Sequence, residues 1–283
     1  MMLCSLALVT VLQGQQPQRV SSLTGNIEKI DGFESKVLKN KRNIAVYLPP
    51  SYKKETNRKF PVIYMHDGQN VFDGMTSFIP NQEWRADETA ESLINAGIIE
   101  PLIIVAIDNG GSERNNEYLP MKVKSGNGEF GGKADLYSKM LLEEVMPIVN
   151  RKYRTKTGPE NTGLIGSSLG GYVTSYFGIQ HPEVFGRLGV MSPSVWVDNQ
   201  SLLKLVKAPT NNVHRPKIWI DCGGQEPAIM PQGARALYDA YVKEGWKPNR
   251  DVVLLIEPNA GHNEGAWARR LPSVLTFLFP KRY

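Results

Sequence analysis

A glycine-rich stretch at residues 163–178, which reads GLIGSSLGGYVTSYFG, restricts the fold of this chain more than any other segment. Within it, residues 166–170 fit the pattern G-x-S-x-G, with Ser168 at the centre. The pattern is typical of a nucleophile elbow, a sharp strand-to-helix turn that exposes a serine hydroxyl. Glycines stand on both sides because the strand and helix backbones approach each other too closely there for Cβ atoms.

The residues around this turn predict the elements that an elbow requires. Residues 162–165 predict a short buried strand, and the segment from residue 172 to His181 predicts a helix. Ser168 would then lie at the helix N-terminus, where free N–H groups and the helix dipole favour negative charge. The alternative is a glycine-rich turn with an incidental serine, but the flanking elements and a third glycine, Gly171, favour the elbow.

The composition is that of an ordinary globular protein. Hydrophobic residues make up 41% and charged residues 22% of the 283 residues, which is enough to build a sizeable core. The net charge of +5 is mild and its basic residues are scattered, with no basic stripe interleaved with aromatics, so the sequence argues against nucleic-acid binding. There is no internal repeat or linker, and we predict one domain over residues 23–283.

The N-terminus begins with an apolar run, residues 1–12, followed by polar residues 13–19. The run is too short to cross a bilayer, which needs about 20 residues, so we predict no stable membrane insertion. It resembles the hydrophobic region of a secretory signal, although a basic start and a clear cleavage site are missing. We interpret residues 1–22 as a truncated signal peptide of a secreted or periplasmic protein; the alternative is a disordered leader on a cytoplasmic one.

Metal and cofactor sites are not predicted. Cys4 and Cys222 are the only cysteines, so the chain has no disulfide framework and no zinc ligand set. No G-x-G-x-x-G pattern follows an early strand, which argues against a dinucleotide cofactor.

The rest of the chain alternates predicted strands with predicted helices. Strands are predicted at 43–48, 60–66, 101–107, 187–191, 217–222 and 251–256, with one or two more between 25 and 38. Helices are predicted at 87–96, 135–151, 202–206, 233–244 and 262–279. Such alternation implies right-handed crossovers and a mostly parallel sheet flanked by helices, an α/β fold. Residues 112–133 predict a long irregular loop of the functional or mobile kind.

A serine nucleophile needs a histidine base that follows it in the chain, as in other elbow enzymes. Of the four histidines, His66 precedes Ser168, and His181 lies at the far end of the same helix, roughly 20 Å away. His214 lies in a polar loop before the best acid candidates. His262, between the last strand and the last helix, is therefore the predicted base, with a surface or helix-capping role as the alternative.

The acid of the triad should lie on the loop that leaves the penultimate strand. Glu226 occupies that loop and is the preferred candidate. Asp221, at the end of the strand, is its rival, and Glu257 is a distant third because it lies only five residues before His262.

An oxyanion hole needs two N–H donors directed at the developing negative charge. The residue after the nucleophile, Leu169, supplies one of them. The turn after the strand that ends at His66 supplies the other, and we predict Gln69. The alternative for residues 67–70 is an ordinary tight turn.

Four blocks of sequence carry a family resemblance. They are YMHDGQNVFD at 64–73, IDNG at 107–110 with Arg114, Glu117, Tyr118 and Pro120, GSSLGG at 166–171, and GHNE at 261–264. Together they resemble the putative-esterase family, the esterase D and enterochelin-esterase-like branch of the α/β-hydrolases, which also contains feruloyl and acetylxylan esterases and mycolyltransferases. The resemblance runs from about residue 43 to the C-terminus.

The resemblance implies an α/β-hydrolase fold and ester hydrolysis through an acyl-enzyme, with Ser168 as nucleophile, His262 as base and Glu226 as acid. Where the family often reads G-T-x-E or G-T-x-D, this chain reads GGQE at 223–226, which keeps the acid. The family acts on sugar esters, siderophore lactones and small thioesters. It thus implies a small-molecule or glycan ester as the partner, of the acetyl, feruloyl or siderophore type, and leaves open an acyltransferase or a catalytically silent binding protein.

Pocket residues are predicted from their position at the carboxyl ends of strands, where open α/β sheets bind ligands. The candidates are Trp84, Asn109, Arg114, Tyr118 and Trp196. Aromatic side chains there can stack on a sugar or phenolic ring, with core packing as the alternative. Arg114 can meet an anionic group of the substrate, with a surface salt bridge as the alternative. Trp267, one turn into the last helix, is interpreted as core.

Overall fold

The computed structural model describes residues 18–126, 128–208 and 215–281. The strands are β1 (Asn26–Ser35), β2 (Asn40–Leu48), β3 (Val62–Met65), β4 (Ile103–Ile107), β5 (Lys122–Ser125), β6 (Gly128–Gly131), β7 (Thr162–Ser167), β8 (Arg187–Met191), β9 (Lys217–Gly223) and β10 (Val252–Glu257). The helices are α1 (Ala86–Asn95), α2 (Arg114–Glu117), α3 (Ala134–Met140), α4 (Met146–Lys152), α5 (Leu169–Gln180), α6 (Ser201–Leu205), α7 (Ile229–Lys243) and α8 (Glu264–Leu278).

Eight of these strands form one sheet in the order β1-β2-β4-β3-β7-β8-β9-β10. From β4 to β10 every neighbouring pair is parallel, whereas β2 runs antiparallel to both β1 and β4. The predicted mostly parallel α/β sheet is therefore confirmed. Its antiparallel edge is built from the first two strands, which a hairpin joins without a crossover helix.

The central strands are buried on both faces, as expected for β3 and β4 from their continuous apolar runs. Every residue of β3, β4 and β7 is buried. Along β3, Val62 and Tyr64 belong to one hydrophobic cluster, and Ile63 and Met65 belong to the other. Because side chains alternate along a strand, the two clusters are the cores on the two faces of the sheet. Helices α1 and α8 cover one face, and α3, α4, α5 and α7 cover the other.

The segment at 112–133 is not the irregular loop that its composition predicts. It contains α2 and a separate antiparallel hairpin of β5 and β6. Gly131, the last residue of β6, has φ +97°. A Cβ there would lie 2.2 Å from the Met121 carbonyl oxygen. At least one of the glycines that indicate a loop thus allows a tight backbone contact instead.

Two predicted helices differ from the observed ones. The helix expected at 135–151 is interrupted by a π-helical turn, Leu141–Val145, between α3 and α4. Helix α7 begins four residues before the expected position 233, because Pro231 falls in its first turn, where proline is tolerated.

The predicted leader lies mostly outside the described residues. The apolar run at 1–12, with Cys4, belongs to the part of the chain that the structure does not describe, so export remains a prediction. Residues 19–22 bond to the domain: Arg19 donates to the Met75 carbonyl, and the Ser22 N–H donates to Asp73. The predicted boundary at residue 22 also remains a prediction. No helix within 18–126, 128–208 and 215–281 is long and apolar enough to span a membrane.

Candidate active site

Four neighbouring parallel strands end at the candidate site. Strands β7, β8, β9 and β10 lie side by side in chain order. Ser168 directly follows β7, Ser192 follows β8, Glu226 lies in the loop after β9, and His262 lies in the loop after β10. Because parallel strands present their carboxyl ends at one edge of the sheet, the topology gathers these residues at that edge.

The turn at Ser168 has the backbone geometry of an elbow. Ser168 has φ +59° and ψ −124°, a backbone conformation that residues other than glycine rarely adopt. A Cβ on Gly166 would lie 2.6 Å from the carbonyl carbon of Gly170, and a Cβ on Gly171 would lie 2.7 Å from the Met191 carbonyl oxygen. The predicted strand, turn and helix are therefore present, and the glycines are required by close backbone contacts.

The Ser168 hydroxyl is hydrogen-bonded to the hydroxyl of a second serine, Ser194. The Oγ atoms of Ser168 and Ser194 are 3.2 Å apart, and the Ser194 N–H donates to the Ser168 carbonyl at 3.1 Å. The structure thus joins the candidate nucleophile to Ser194 and not directly to His262. Hydrogen bonds between nucleophile and base are often long without substrate and tighten in the complex, so this arrangement is compatible with a triad.

The structure brings Glu226 and His262 together. Glu226 Oε2 lies 2.8 Å from His262 Nδ1. The other oxygen, Oε1, accepts hydrogen bonds from the Ser192 hydroxyl at 2.6 Å and from the Gly223 N–H at 2.8 Å. The carboxylate side chain is fully buried, whereas a third of the imidazole is exposed. With Nδ1 donating to the carboxylate, Nε2 is the atom of His262 that is left to act as a base.

Hydrogen bonding keeps Glu226 ionised. Burial raises the pKa of this carboxyl group, but the hydrogen bonds from His262, Ser192 and Gly223 lower it by more, so that the pKa falls below its usual value. A carboxylate is thus available to orient the imidazole and to stabilise its protonated form.

The rival acid Asp221 is bonded to groups other than His262. Asp221 is fully buried, accepts from the Trp219 indole N–H at 2.9 Å and forms an ion pair with Arg270 at 3.0 Å. Burial raises the pKa of Asp221, although the Arg270 guanidinium opposes the rise. Asp221 is thus held by groups behind the site, and of the three candidate acids Glu226 has the geometry of a triad member.

The turn proposed for the second oxyanion donor lies next to the elbow. The His66 N–H donates to the Ile165 carbonyl at 3.0 Å, so β3 and β7 end side by side. Gln69 follows in a single 3₁₀ turn, and Leu169 is the first residue of α5, where N–H groups have no partner within the helix. Both remain predictions as oxyanion donors.

Asp67 is the centre of a charged cluster at this turn. Arg114 donates to its two carboxylate oxygens at 2.6 and 2.8 Å, and the Asn109 amide donates at 2.6 Å. Burial raises the pKa of Asp67, but Arg114 and Asn109 lower it by more. Arg114 thus forms a partly buried salt bridge and does not present a free cation to a substrate.

Two of the predicted pocket aromatics are core residues. Trp84 is 2% exposed and packs on Trp267 with ring centroids 5.7 Å apart. Tyr118 is fully buried, and its hydroxyl accepts from the Asp67 N–H at 3.1 Å. Both predictions are wrong because protein covers these rings. Trp196 is 45% exposed and remains a candidate pocket wall.

Four residues at the site form hydrogen bonds that the sequence analysis did not predict, although it placed the turn at 192–196 among the pocket candidates. Ser192 and Ser194 lie in the turn after β8, and Trp267 and Arg270 project from α8 to the Ser192 hydroxyl at 3.0 Å each. Trp267 also meets the His262 ring edge-on, with centroids 5.0 Å apart. The only signal in the sequence was the position of the turn at a strand end.

No cluster of three or more metal-ligating side chains is found in the described part of the chain. His214, which the sequence analysis set aside as base, lies outside that part.

Comparison with known proteins identifies the family of this chain. The family model "Putative esterase" matches residues 35–278. The endo-1,4-beta-xylanase/feruloyl esterase of Xylanibacter ruminicola is 27% identical over 90% of this chain and 31% of its own length. The ferri-bacillibactin esterase BesA of Bacillus subtilis is 23% identical over 81% of this chain and 83% of its own.

A solved structure shows the same fold. The crystal structure of the BES protein from Bacillus cereus superposes with a TM-score of 0.71 at 20% identity, covering 93% of this chain and 98% of that one. The fold is that of the α/β-hydrolases. The chain belongs to the putative-esterase family and is a carboxylic ester hydrolase.

Proposed function

We propose that Ser168, His262 and Glu226 form the catalytic triad of a serine esterase. The observation that carries this proposal is the Glu226–His262 hydrogen bond of 2.8 Å, at the edge of the sheet where Ser168 stands on a strained elbow. A carboxylate bonded to Nδ1 and a nucleophile presented at a helix N-terminus are the two features that such chemistry needs.

In the first half of the reaction, His262 Nε2 removes the proton of the Ser168 hydroxyl as Oγ attacks the ester carbonyl carbon. The carbonyl oxygen becomes an oxyanion, which the N–H groups of Leu169 and Gln69 stabilise. Glu226 stabilises the imidazolium that forms. The imidazolium then protonates the leaving alcohol, and the acyl group stays on Ser168.

In the second half, water takes the place of the alcohol. His262 removes a proton from the water as the oxygen attacks the acyl carbon, and the oxyanion forms again at the same two N–H groups. When this intermediate collapses, Ser168 recovers its proton and the carboxylic acid leaves. No cofactor takes part in either half.

The substrate is proposed to be a carbohydrate-linked acetyl or feruloyl ester or a siderophore-type ester. The printed names of the similar proteins, a feruloyl esterase and a ferri-bacillibactin esterase, support these classes. Trp196 supports an aromatic or sugar group: its ring is half exposed and lies two residues after Ser194, whose hydroxyl is 3.2 Å from that of Ser168.

The test is labelling with a fluorophosphonate, mapped by mass spectrometry. We expect label on Ser168 of the wild-type protein and none on the Ser168→Ala variant. Ser175→Ala is the matched control, since Ser175 is a buried serine of the same helix that bonds to the Tyr241 hydroxyl at 2.9 Å. This control should label like wild type.

Absence of label on folded wild-type protein would exclude an activated serine. Label at another serine would exclude Ser168 as the nucleophile. If labelling succeeds, rates on acetyl, feruloyl and siderophore-type lactone esters identify the substrate class, and a sugar acceptor added to the assay detects acyl transfer in place of hydrolysis.

A further inference from the structure

The hydroxyl of Ser192 is the junction of a buried hydrogen-bond network behind Glu226. Ser192 is fully buried and lies in the turn directly after β8. Its Oγ lies 2.6 Å from Glu226 Oε1, 3.0 Å from the Trp267 indole nitrogen and 3.0 Å from an Arg270 guanidinium nitrogen. Three partners around one hydroxyl use all of its hydrogen-bonding capacity.

The direction of each bond follows from the chemistry of the partners. Indole and guanidinium nitrogens can only donate, so Trp267 and Arg270 both give a hydrogen to Ser192 Oγ. The single proton of Ser192 is then left for Glu226, which as a carboxylate can only accept. The hydroxyl cannot rotate away without leaving a buried donor unpaired.

This junction determines which oxygen of Glu226 faces the histidine. Oε1 accepts from Ser192 and from the Gly223 N–H, while Oε2 accepts from His262 Nδ1. With Oε1 fixed by two donors, the carboxylate cannot turn in its plane. The imidazole is thereby held with Nε2 free.

The cation in the network is balanced by its own anion. Arg270 is 3% exposed and pairs with Asp221 at 3.0 Å, so the pair brings no net charge to the site. The other titratable neighbours of Glu226 are His262 and the Cys222 thiol, whose pKa is raised by burial and which stays neutral. The Ser192 hydroxyl therefore acts on Glu226 through its hydrogen bond.

We propose that Ser192, held by Trp267 and Arg270, is a positioning residue that fixes the carboxylate of Glu226 against His262. This inference rests on the proposed triad. It also gives Asp221, the rival acid, a role: it anchors Arg270, which in turn holds Ser192. The backbone of Ser192 has φ +41°, which is consistent with a residue held in place by its surroundings.

The experiment compares Ser192→Ala with Ser175→Ala. Alanine keeps the Cβ and removes only the hydroxyl, and we expect kcat to fall about 10-fold with KM unchanged, as for other outer-layer partners of active-site groups. Trp267→Phe, which removes one donor to Ser192 and keeps an aromatic ring beside His262, should lower kcat by a smaller factor. Ser175→Ala should keep the wild-type kcat.

A second readout does not depend on catalysis. In an NMR titration of ¹³C-labelled glutamate carboxyl groups, assigned with Glu226→Gln, the pKa of Glu226 should rise in Ser192→Ala because a donor to the charged form is lost. A merely structural role of Ser192 would leave this titration where it is in wild type.

The outcomes separate the two proposals. An unchanged Glu226 titration in Ser192→Ala, or an equal loss of kcat in Ser175→Ala, overturns the role of Ser192. If wild-type protein fails to label with fluorophosphonate, the proposed triad fails, whereas the titration still decides whether Ser192 controls Glu226. Should Ser192→Ala not fold, Trp267→Phe carries the kinetic comparison with Ser175→Ala, and an unchanged kcat in Trp267→Phe contradicts the network.

Discussion

Two loops at the carboxyl edge of the sheet both carry polar residues but use them differently. In the loop after β3, the Asp67 carboxylate accepts hydrogen bonds from Arg114 and Asn109. In the turn after β8, Ser192 and Ser194 direct their hydroxyl groups at Glu226 and Ser168, two of the proposed catalytic residues.

The difference separates two kinds of support. Asp67 and Arg114 neutralise one another and hold a backbone turn, which carries the proposed N–H donor of Gln69. The hydroxyl groups after β8 are uncharged and hydrogen-bond to Glu226 and Ser168, two members of the proposed triad. Polar side chains near a strand end thus indicate a site, but their partners decide whether they bind substrate, hold the backbone or orient a catalytic group.

The sharpest contrast is between the two acids. Glu226→Gln should lower kcat by about 10⁴-fold with the fold retained, as expected when the acid of a triad becomes an amide. Asp221→Asn should act mainly on the free energy of unfolding, because it leaves Arg270 without its buried counter-ion. Ester hydrolysis rates and urea unfolding of both variants check this, and equal losses of kcat would remove the distinction.

Breaking the salt bridge at the loop after β3 should lower the free energy of unfolding. Arg114→Met leaves Asp67, whose side chain is 9% exposed, without its main partner. We expect the free energy of unfolding to fall by about 3 kcal/mol, the low end for a buried pair because Arg114 is a quarter exposed. The double variant Asp67→Asn with Arg114→Met should recover part of the loss, and simple additivity of the two changes would contradict the pairing.

His66, at the start of the same loop, should make stability depend on pH. Burial lowers the pKa of His66 from 6.5 to about 4, so the unfolded chain binds the proton more tightly than the folded one. Above pH 6.5 the titration of His66 does not lower the free energy of unfolding, whereas the free energy falls as the pH drops from 6.5 towards 4. Between pH 6.5 and 4.5 the loss is about 2 kcal/mol.

The variant His66→Asn isolates this contribution, since other carboxylates titrate in both proteins. An amide can keep the hydrogen bond to Tyr137, which lies 2.8 Å from His66 Nδ1. Urea unfolding at pH 6.5 and 4.5 should show a smaller pH dependence in the variant. Equal slopes for the two proteins would mean that His66 is not buried in its neutral form.

The smallest expected effect concerns Trp196 in the turn after β8. Trp196→Ala should raise KM for a feruloyl ester about fivefold and leave KM for an acetyl ester nearly unchanged, because only the aromatic acyl group can stack on the ring. Steady-state kinetics on the two esters measure this. Equal changes for both substrates would show that Trp196 does not contact the acyl group.

The sequence predicted the parts of the molecule that depend on local patterns. Continuous apolar runs predicted the central strands β3 and β4 within two residues. The elbow was predicted because its glycine pattern is local, and the contact of Gly166 with Gly170 joins residues only four positions apart. Glu226 and His262 followed from the order of elements in the chain and were found hydrogen-bonded.

The missed residues depend on contacts across the fold. Trp267 and Arg270 reach Ser192 over 75 and 78 positions of sequence, and no local pattern indicates such a bond. Trp84 was misjudged for a related reason, since a tryptophan in the segment before α1 can face solvent or core, and its contact with Trp267 of α8 decides. The hairpin of β5 and β6 was missed because its strands are four residues long.

The backbone of Ser168 has a consequence for how this protein can evolve. Glycine adopts φ +59° with ψ −124° freely, whereas serine is strained there by about 1–3 kcal/mol. Selection for heat resistance and selection for chemistry therefore favour different residues at this position. A library of variants selected only for heat resistance should enrich glycine at position 168, and its most resistant members should have lost the hydroxyl on which the proposed reaction depends.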